Sequence, residues 1–212
     1  MPGLYKHIWW PIIFSLVVGD FGVKCEGIQH SKHLKESLEH HDEVSVDWEG
    51  HLFCCITFDW NYNMKHVDLS VPGYVQQKRT KYQHPDSLNP QHSPYLVTPI
   101  RYGTKVQQPV QLDTTALIYP EQIKRVQDIF GYFIWYVRAC NPTSTTSLSA
   151  IASRQTKGTE AVLVASHQLR GYLETHPDAA IRYHASDMIL AFDTYDSYLY
   201  EPVSRSRAAA YY

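Results

Sequence analysis

The sequence has few cysteines, no long hydrophobic run and no surplus of basic residues. Its 212 residues include four cysteines, none of them in a CxxC pair, which excludes a zinc knuckle and a disulfide framework of the secreted type. The apolar run at residues 8–18 is shorter than the roughly 20 residues that a membrane-spanning helix needs. Lys and Arg total 19 against 21 Asp and Glu, so the net charge is −2. We therefore expect an intracellular protein, in the cytoplasm or nucleus, with no membrane partner. Any nucleic-acid binding has to come from a local basic patch.

What the sequence does contain is enough apolar material for a core. Hydrophobic residues make up 44% and charged residues 19% of the chain, which is typical of a folded globular protein. Strand-like patterns dominate residues 1–82 and helical spacing dominates residues 119–178, so we expect the α+β fold class. Residues 83–118 are rich in proline and glutamine and are predicted to link these two parts. Residues 179–212 return to a strand-like pattern.

The first strong local signal is a hairpin near the N-terminus. Residues 12–18 are rich in β-branched side chains, the pair Gly19–Asp20 suits a turn, and residues 21–25 form a second apolar segment. A rival interpretation takes residues 1–19 as a signal peptide, because a lysine precedes the apolar run and a small residue follows it. That rival would make the chain a small secreted protein.

Further elements follow from periodicity and turn residues. Residues 31–40 are predicted to form a helix with Ser31 as its N-cap, and residues 72–82 a helix with Pro72 in its first turn. Strands are predicted at residues 43–47, 51–58 and 66–71. The second half is predicted to contain helices at residues 120–140, 143–155 and 159–175, and strands at residues 180–184, 188–194 and 206–212.

A short basic and aromatic segment follows the third of these early strands. Its basic members are Lys78, Arg79 and Lys81, and Tyr74 and Tyr82 flank them. Positive side chains beside aromatic rings are typical of surfaces that bind a nucleic-acid backbone. The competing interpretation is a solvated helix end with no partner.

Five blocks of sequence, in order, resemble the reverse transcriptase of copia-type retrotransposons, from its palm into its RNase H domain. They are residues 14–20 (FSLVVGD), 53–58 with 67–75, 129–138 (IFGYFIWYVR), 167–173 (HQLRGYL) and 193–211. The resemblance implies a remnant palm β-hairpin and the start of the thumb within residues 1–82, and thumb or connection helices within residues 119–178. It implies the first strands of an RNase H-like sheet within residues 179–212. The implied function is that of a pol polyprotein nucleotidyltransferase, an RNA-directed DNA polymerase that acts on a primer–template.

The resemblance also assigns candidate catalytic residues. The family holds two Mg²⁺ ions with an Asp-Asp pair at the hairpin tip and one further aspartate. Here Asp20 is the relic of that pair and the candidate metal ligand, because Gly19 stands in place of its partner. Asp193 and Asp196 are candidates for an RNase H site, since they flank Tyr195, which occupies the position of the family's first catalytic aspartate.

The same resemblance puts Lys78, Arg79 and Lys81 at the start of the thumb, beside the primer–template backbone. With most metal-binding carboxylates missing, we expect a truncated, degenerate polymerase fragment that is catalytically inactive and binds no metal productively. The alternative is a domesticated nucleic-acid-binding module that uses only the basic segment. Because the sheet partners of the hairpin are expected outside this sequence, residues 12–18 are predicted to expose an apolar edge that favours self-association.

Overall fold

The fold is a mixture of helices and antiparallel strands in two units, so the α+β prediction is confirmed at that level. The computed structural model describes residues 3–83, 89–96, 113–187, 193–196 and 208–211. The chain divides into a sheet unit, residues 1–72 with 180–183, and a helical unit, residues 73–179 with 184–212.

The first sheet of the sheet unit has three antiparallel strands. Its strands are β1 (Leu4–Lys6), β2 (Ile12–Val17) and β3 (Asp20–Cys25), with β2 in the centre. The predicted hairpin is confirmed, but its two-residue turn is Val18–Gly19, because Val17 pairs with Asp20. The prediction of an exposed edge at residues 12–18 is wrong, since β1 pairs with one side of β2 and β3 with the other. Strand β1 was not predicted from the sequence, because it is only three residues long.

Helix α1 (Ile28–Glu39) follows this sheet and begins three residues earlier than predicted. The residue before it is Gly27, which has a φ of 89° that favours glycine. The hydroxyl of Ser31 donates to the carbonyl oxygen of Ile28 at 3.0 Å. Ser31 therefore bonds within the first turn of the helix and is not its N-cap.

The second sheet contains four strands and corrects two predictions. Its strands are β4 (Leu52–Phe53), β5 (Ile56–Asn61), β6 (His66–Ser70) and β7 (Ala180–His184), in that order across the sheet. The single strand predicted at residues 51–58 is wrong, because Cys54 and Cys55 have φ angles of 50° and 65° and turn the chain back on itself. Positive φ at both central residues is the requirement of a tight hairpin turn, and an apolar run does not reveal it.

The strand predicted at residues 43–47 is also wrong, since these residues lead into a loop organised by Asp47. The carboxylate of Asp47 accepts hydrogen bonds from the backbone N–H groups of Glu49, Gly50, His51 and Leu52. Desolvation opposes ionisation of Asp47, but the four donors outweigh it and hold the pKa of this carboxyl below its ordinary value. Local side-chain bonds of this kind compete with strand formation.

Strand β7 comes from far along the chain, yet it lies beside β6. The guanidinium of Arg182 on β7 donates two hydrogen bonds to the Asp68 carboxylate on β6, from Nε to Oδ1 and from a terminal nitrogen to Oδ2, both at 2.7 Å. This bidentate geometry is the strongest form of an Arg–carboxylate pair. The segment predicted to start an RNase H-like sheet thus begins by extending the sheet unit.

The helical unit contains helices α2 (Tyr74–Lys81), α3 (Pro120–Cys140), α4 (Thr145–Ala152) and α5 (Glu160–Thr175). The predicted bounds of α3 and α5 are confirmed, because Pro120 starts α3 and the Thr159 hydroxyl caps α5 by accepting the Val162 N–H. Gly73 precedes α2, so Pro72 lies outside that helix. Among the described residues, no helix has both the length and the apolar content that crossing a bilayer requires.

Two described parts of the predicted linker lie against the helical unit. Residues 89–96 bond to α4 and α5. Further along, the Thr159 hydroxyl donates to the Asp113 carboxylate, and Leu117 forms an isolated bridge with Thr159. Residues 84–88 and 97–112 of the linker lie outside the described residues.

The last two described strands are β8 (Asp193–Asp196) and β9 (Ala208–Tyr211), which pair antiparallel. The strand predicted at residues 188–194 overlaps β8 only at residues 193–194, and the strand predicted at residues 206–212 contains β9. Residues 188–192, 206–207 and 212 of these two predicted strands lie outside the described residues.

Candidate nucleic-acid interface

Asp20 lies at the tip of the β2–β3 hairpin, as the sequence predicted, and it is exposed. One of its carboxylate oxygens, Oδ2, accepts a hydrogen bond from the backbone N–H of Cys54 at 3.1 Å. This bond joins the hairpin tip to the β4–β5 turn. Burial, followed by the nearby Asp20 charge, raises the pKa of the Cys54 thiol. The carboxylate therefore has a structural partner within the sheet unit.

A two-metal site needs several carboxylates around one point. Within the described residues, no group of three or more His, Cys, Asp or Glu side chains could hold a metal ion. Gly19 supplies no side chain beside Asp20, and it lies in the turn with open space around it. On the described residues, the hairpin offers one carboxylate to a metal ion.

The two RNase H candidates lie in β8. Asp193 pairs with Tyr211 and Asp196 pairs with Ala208 of β9. They are thus the first and last residues of one four-residue strand, and no catalytic arrangement follows from that position alone.

The basic segment forms the last turns of helix α2. The ammonium group of Lys78 lies 4.7 Å from the centroid of the Tyr74 ring, and that of Lys81 lies 5.6 Å from the Tyr82 ring. Both distances fall within the range of cation–π attraction. Arg79 lies between these two lysines, is half-buried, and has interactions of its own. The helix contains no acidic residue, so three positive charges belong to one short helix.

Helix α2 is fastened to α3 by tyrosines. The Tyr74 hydroxyl donates to the carbonyl oxygen of Tyr132 at 2.6 Å, and the Tyr74 ring stacks on Tyr136 with a centroid distance of 5.3 Å. Tyr82 stacks on Tyr132 at 4.8 Å. Burial raises the pKa values of the Tyr74 and Tyr132 hydroxyls above their ordinary range. The basic helix is therefore held on a rigid aromatic support.

The supporting tyrosines on α3 were missed as site residues. The sequence placed Tyr132 and Tyr136 only in the predicted helix at residues 120–140 and in the block 129–138, and their i, i+4 spacing was the available signal. Trp135, half-exposed, packs at an angle against Tyr74, with 5.2 Å between ring centroids. Trp135 thus adds an exposed aromatic ring beside Tyr74, and such a ring is a surface on which a planar base can stack.

The positive charges at this end of α2 also have a structural role. Cations in the last turn of a helix complement the negative end of its dipole, and all three basic residues lie there. The interface interpretation needs more than this charge, and the rigid pairing of lysines with tyrosines is the additional feature. Searches with this chain matched no protein-family model, no curated protein and no solved structure.

Proposed function

We propose that this chain is a degenerate copia-type reverse transcriptase sequence that has lost nucleotide addition and keeps a contact with the nucleic-acid backbone on helix α2. The family assignment rests on the five ordered sequence blocks. The retained contact rests on one observation, the array of Lys78, Arg79 and Lys81 supported by Tyr74 and Tyr82. In the family, the partner is an RNA or DNA primer–template and the cofactor is Mg²⁺.

The loss of nucleotide addition is supported by the environment of Asp20. Two Mg²⁺ ions need oxygen ligands from several groups, and Gly19 provides none where the family has an aspartate. The remaining carboxylate bonds to the Cys54 N–H. With so few ligands, both metal affinity and transition-state stabilisation are lost.

The RNase H-like identity of the C-terminal residues is part of the same proposal. It is supported by the antiparallel pairing of β8 and β9 after the helical segments and by the acidic residues at both ends of β8. Asp193 and Asp196 are then relics, because Tyr195 stands between them at the catalytic position.

The binding experiment measures the affinity of the full chain for a fluorescent primed RNA template by anisotropy at several salt concentrations. The test variant is Lys78→Ala/Arg79→Ala/Lys81→Ala. The matched control removes three exposed lysines of the sheet unit, Lys6→Ala/Lys24→Ala/Lys32→Ala. Removal of three phosphate contacts should reduce the steepness of the fall of log K with log salt concentration by roughly 2 to 3. The control should keep its slope. Equal losses of affinity and of salt dependence in the test and control variants would refute a contact on α2. Absence of binding by the native chain at low salt would refute it as well.

The activity experiment is primer extension with Mg²⁺ or Mn²⁺ by the native chain and by Gly19→Asp. We expect no extension in either, because one restored carboxylate does not complete a two-metal site. Extension by the native chain that disappears in Asp20→Ala would show that the hairpin is still catalytic. Extension only by Gly19→Asp would show that a single ligand had been lost.

A further inference from the structure

One described part of the linker, residues 89–96, is held on the helical unit by residues on both sides of His92. The backbone N–H of Gln91 donates to the Thr175 hydroxyl at 2.9 Å. The side-chain amide of Gln168 donates to the carbonyl oxygen of Ser93 at 2.8 Å. These bonds hold the residues on either side of His92 against α5, so the backbone that carries that imidazole is anchored to the helix.

His92 meets a second histidine that lies 84 positions later in the chain. Nδ1 of His92 is 3.3 Å from Nε2 of His176, and the two rings stand at 61° to each other. His176 is the C-terminal cap of α5, and Tyr172 packs on its ring at 4.9 Å. Each ring therefore directs one nitrogen towards the other from a separate segment.

The 3.3 Å between Nδ1 of His92 and Nε2 of His176 matches the distance between two ligand atoms of a tetrahedral metal ion. Zn–N bonds of 2.0–2.1 Å at the tetrahedral angle put two imidazole nitrogens roughly 3.3 Å apart. Without a metal ion, two neutral imidazoles at this distance form one hydrogen bond, in which the N–H of one ring donates to the unprotonated nitrogen of the other. A metal ion would replace that single hydrogen bond with two coordinate bonds. The donor ring would then carry its proton on its other nitrogen, and both rings would turn so that their free lone pairs meet at the ion.

The electrostatics of the site favour a cation. The negative end of the α5 dipole lies at His176, and the last turn of α5 carries no basic residue that would complement it. Asp178, exposed and two residues beyond His176, adds a negative charge to the same end of the helix. Imidazole nitrogens select late first-row ions such as Zn²⁺, whereas Mg²⁺ prefers oxygen.

We propose that His92 and His176 form a two-histidine site for a late first-row divalent cation of the Zn²⁺ type, with water in the remaining coordination positions. The bound ion joins residues 89–96 to the end of α5. This site is separate from the Mg²⁺ chemistry of the polymerase family and does not depend on the proposed function. With two protein ligands, its affinity is modest, and it acts as a clamp on the linker.

Calorimetric titration of Zn²⁺ into the metal-free full chain at neutral pH tests the site. The variants are His92→Gln and His176→Gln. The control is His40→Gln/His41→Gln, which removes two exposed histidines at the end of α1. We expect one Zn²⁺ per chain in the native protein, binding at least tenfold weaker in each single variant, and native binding in the control. Native affinity in both single variants, or loss only in the control, overturns the proposal.

Thermal unfolding supplies a readout of the clamp itself. Zn²⁺ at about 100 times its dissociation constant should raise the Tm by roughly 5–10 °C, and Mg²⁺ at the same concentration should not. The rise should be absent in His92→Gln. That substitution lies outside every helix, so it remains informative if His176→Gln unfolds. A Zn²⁺-induced rise of the same size in His92→Gln would contradict the proposal.

Discussion

The two units bury apolar side chains to very different extents. Apart from Ile12 and Val71, the buried apolar side chains among the described residues all belong to the helical unit. The sheet unit instead leaves large apolar residues in solvent, with Ile8 83%, Trp9 82% and Tyr62 78% exposed. Since burial of apolar surface is the main favourable term in folding, the stability of the chain resides mainly in the helices.

The same difference separates the two candidate sites. The basic helix α2 rests on buried tyrosines of α3, whereas the hairpin with Asp20 belongs to a sheet in which only Ile12 is buried. A surface contact needs side chains in fixed positions. The helical unit supplies that support through buried, stacked tyrosines, and this is why we propose the nucleic-acid contact there.

The largest expected effect comes from a matched pair of leucines. Leu169 on α5 is fully buried, and Leu52 on β4 is 62% exposed. Leu169→Ala should lower the free energy of unfolding by about 2–5 kcal/mol, because it leaves a cavity in the helical core. Leu52→Ala should cost less than about 0.5 kcal/mol. Urea unfolding followed by circular dichroism at 222 nm measures the free energy of unfolding of both variants. Equal losses of that free energy would contradict the difference in burial between the two units.

A second effect is alkaline destabilisation of the helical unit. Tyr136 is fully buried, its hydroxyl donates to the carbonyl oxygen of Pro177 at 2.8 Å, and burial raises its pKa to about 12. An unfolded tyrosine ionises near pH 10. The stability contributed by neutral Tyr136 is therefore complete below pH 10 and is lost as the pH rises towards 12.

The loss should amount to about 1.4 kcal/mol per pH unit across that window. Unfolding free energies at several pH values between 9 and 12 should show the slope in the native chain. Tyr136→Phe should be less stable at neutral pH but should have a shallower alkaline slope. An unchanged slope in that variant would mean that other groups govern alkaline unfolding.

The smallest expected effect lies in the sheet unit. The Arg182 side chain is 53% exposed, so its bidentate pair with Asp68 is screened by solvent. A double-mutant cycle with Arg182→Ala and Asp68→Asn should give a coupling of about 0.5–1 kcal/mol at low salt. That coupling should shrink in 1 M NaCl. A coupling above about 2 kcal/mol would mean that the sheet unit depends on this ion pair far more than its exposure suggests.

The helices were more predictable than the strands, for reasons visible in particular residues. Pro120, Thr159 and the Asn141–Pro142 pair mark helix ends by local chemistry that sequence alone reveals. The turn at Cys54–Cys55 was hidden because two residues with positive φ lay inside an apolar run.

Long-range contacts were beyond sequence reasoning altogether. The position of β7 beside β6 depends on a partner more than 100 residues away, and the pair His92 and His176 is separated by 84 positions. Periodicity reports only which face of an element is apolar. Turn residues and local composition indicated the basic helix and the hairpin tip, but they did not indicate the tyrosines that support the basic helix or the hydrogen bond that Asp20 accepts.

Amide hydrogen exchange of the full chain, with and without a primed RNA template at low salt, tests the central claim most directly. We predict strong protection in α3 and α5 and weak protection in β1 to β3 for the free chain. Addition of the template should increase protection within residues 74–81 of α2 and leave residues 12–25 of the hairpin unchanged. Increased protection of the hairpin around Asp20, without any change in α2, would contradict the account.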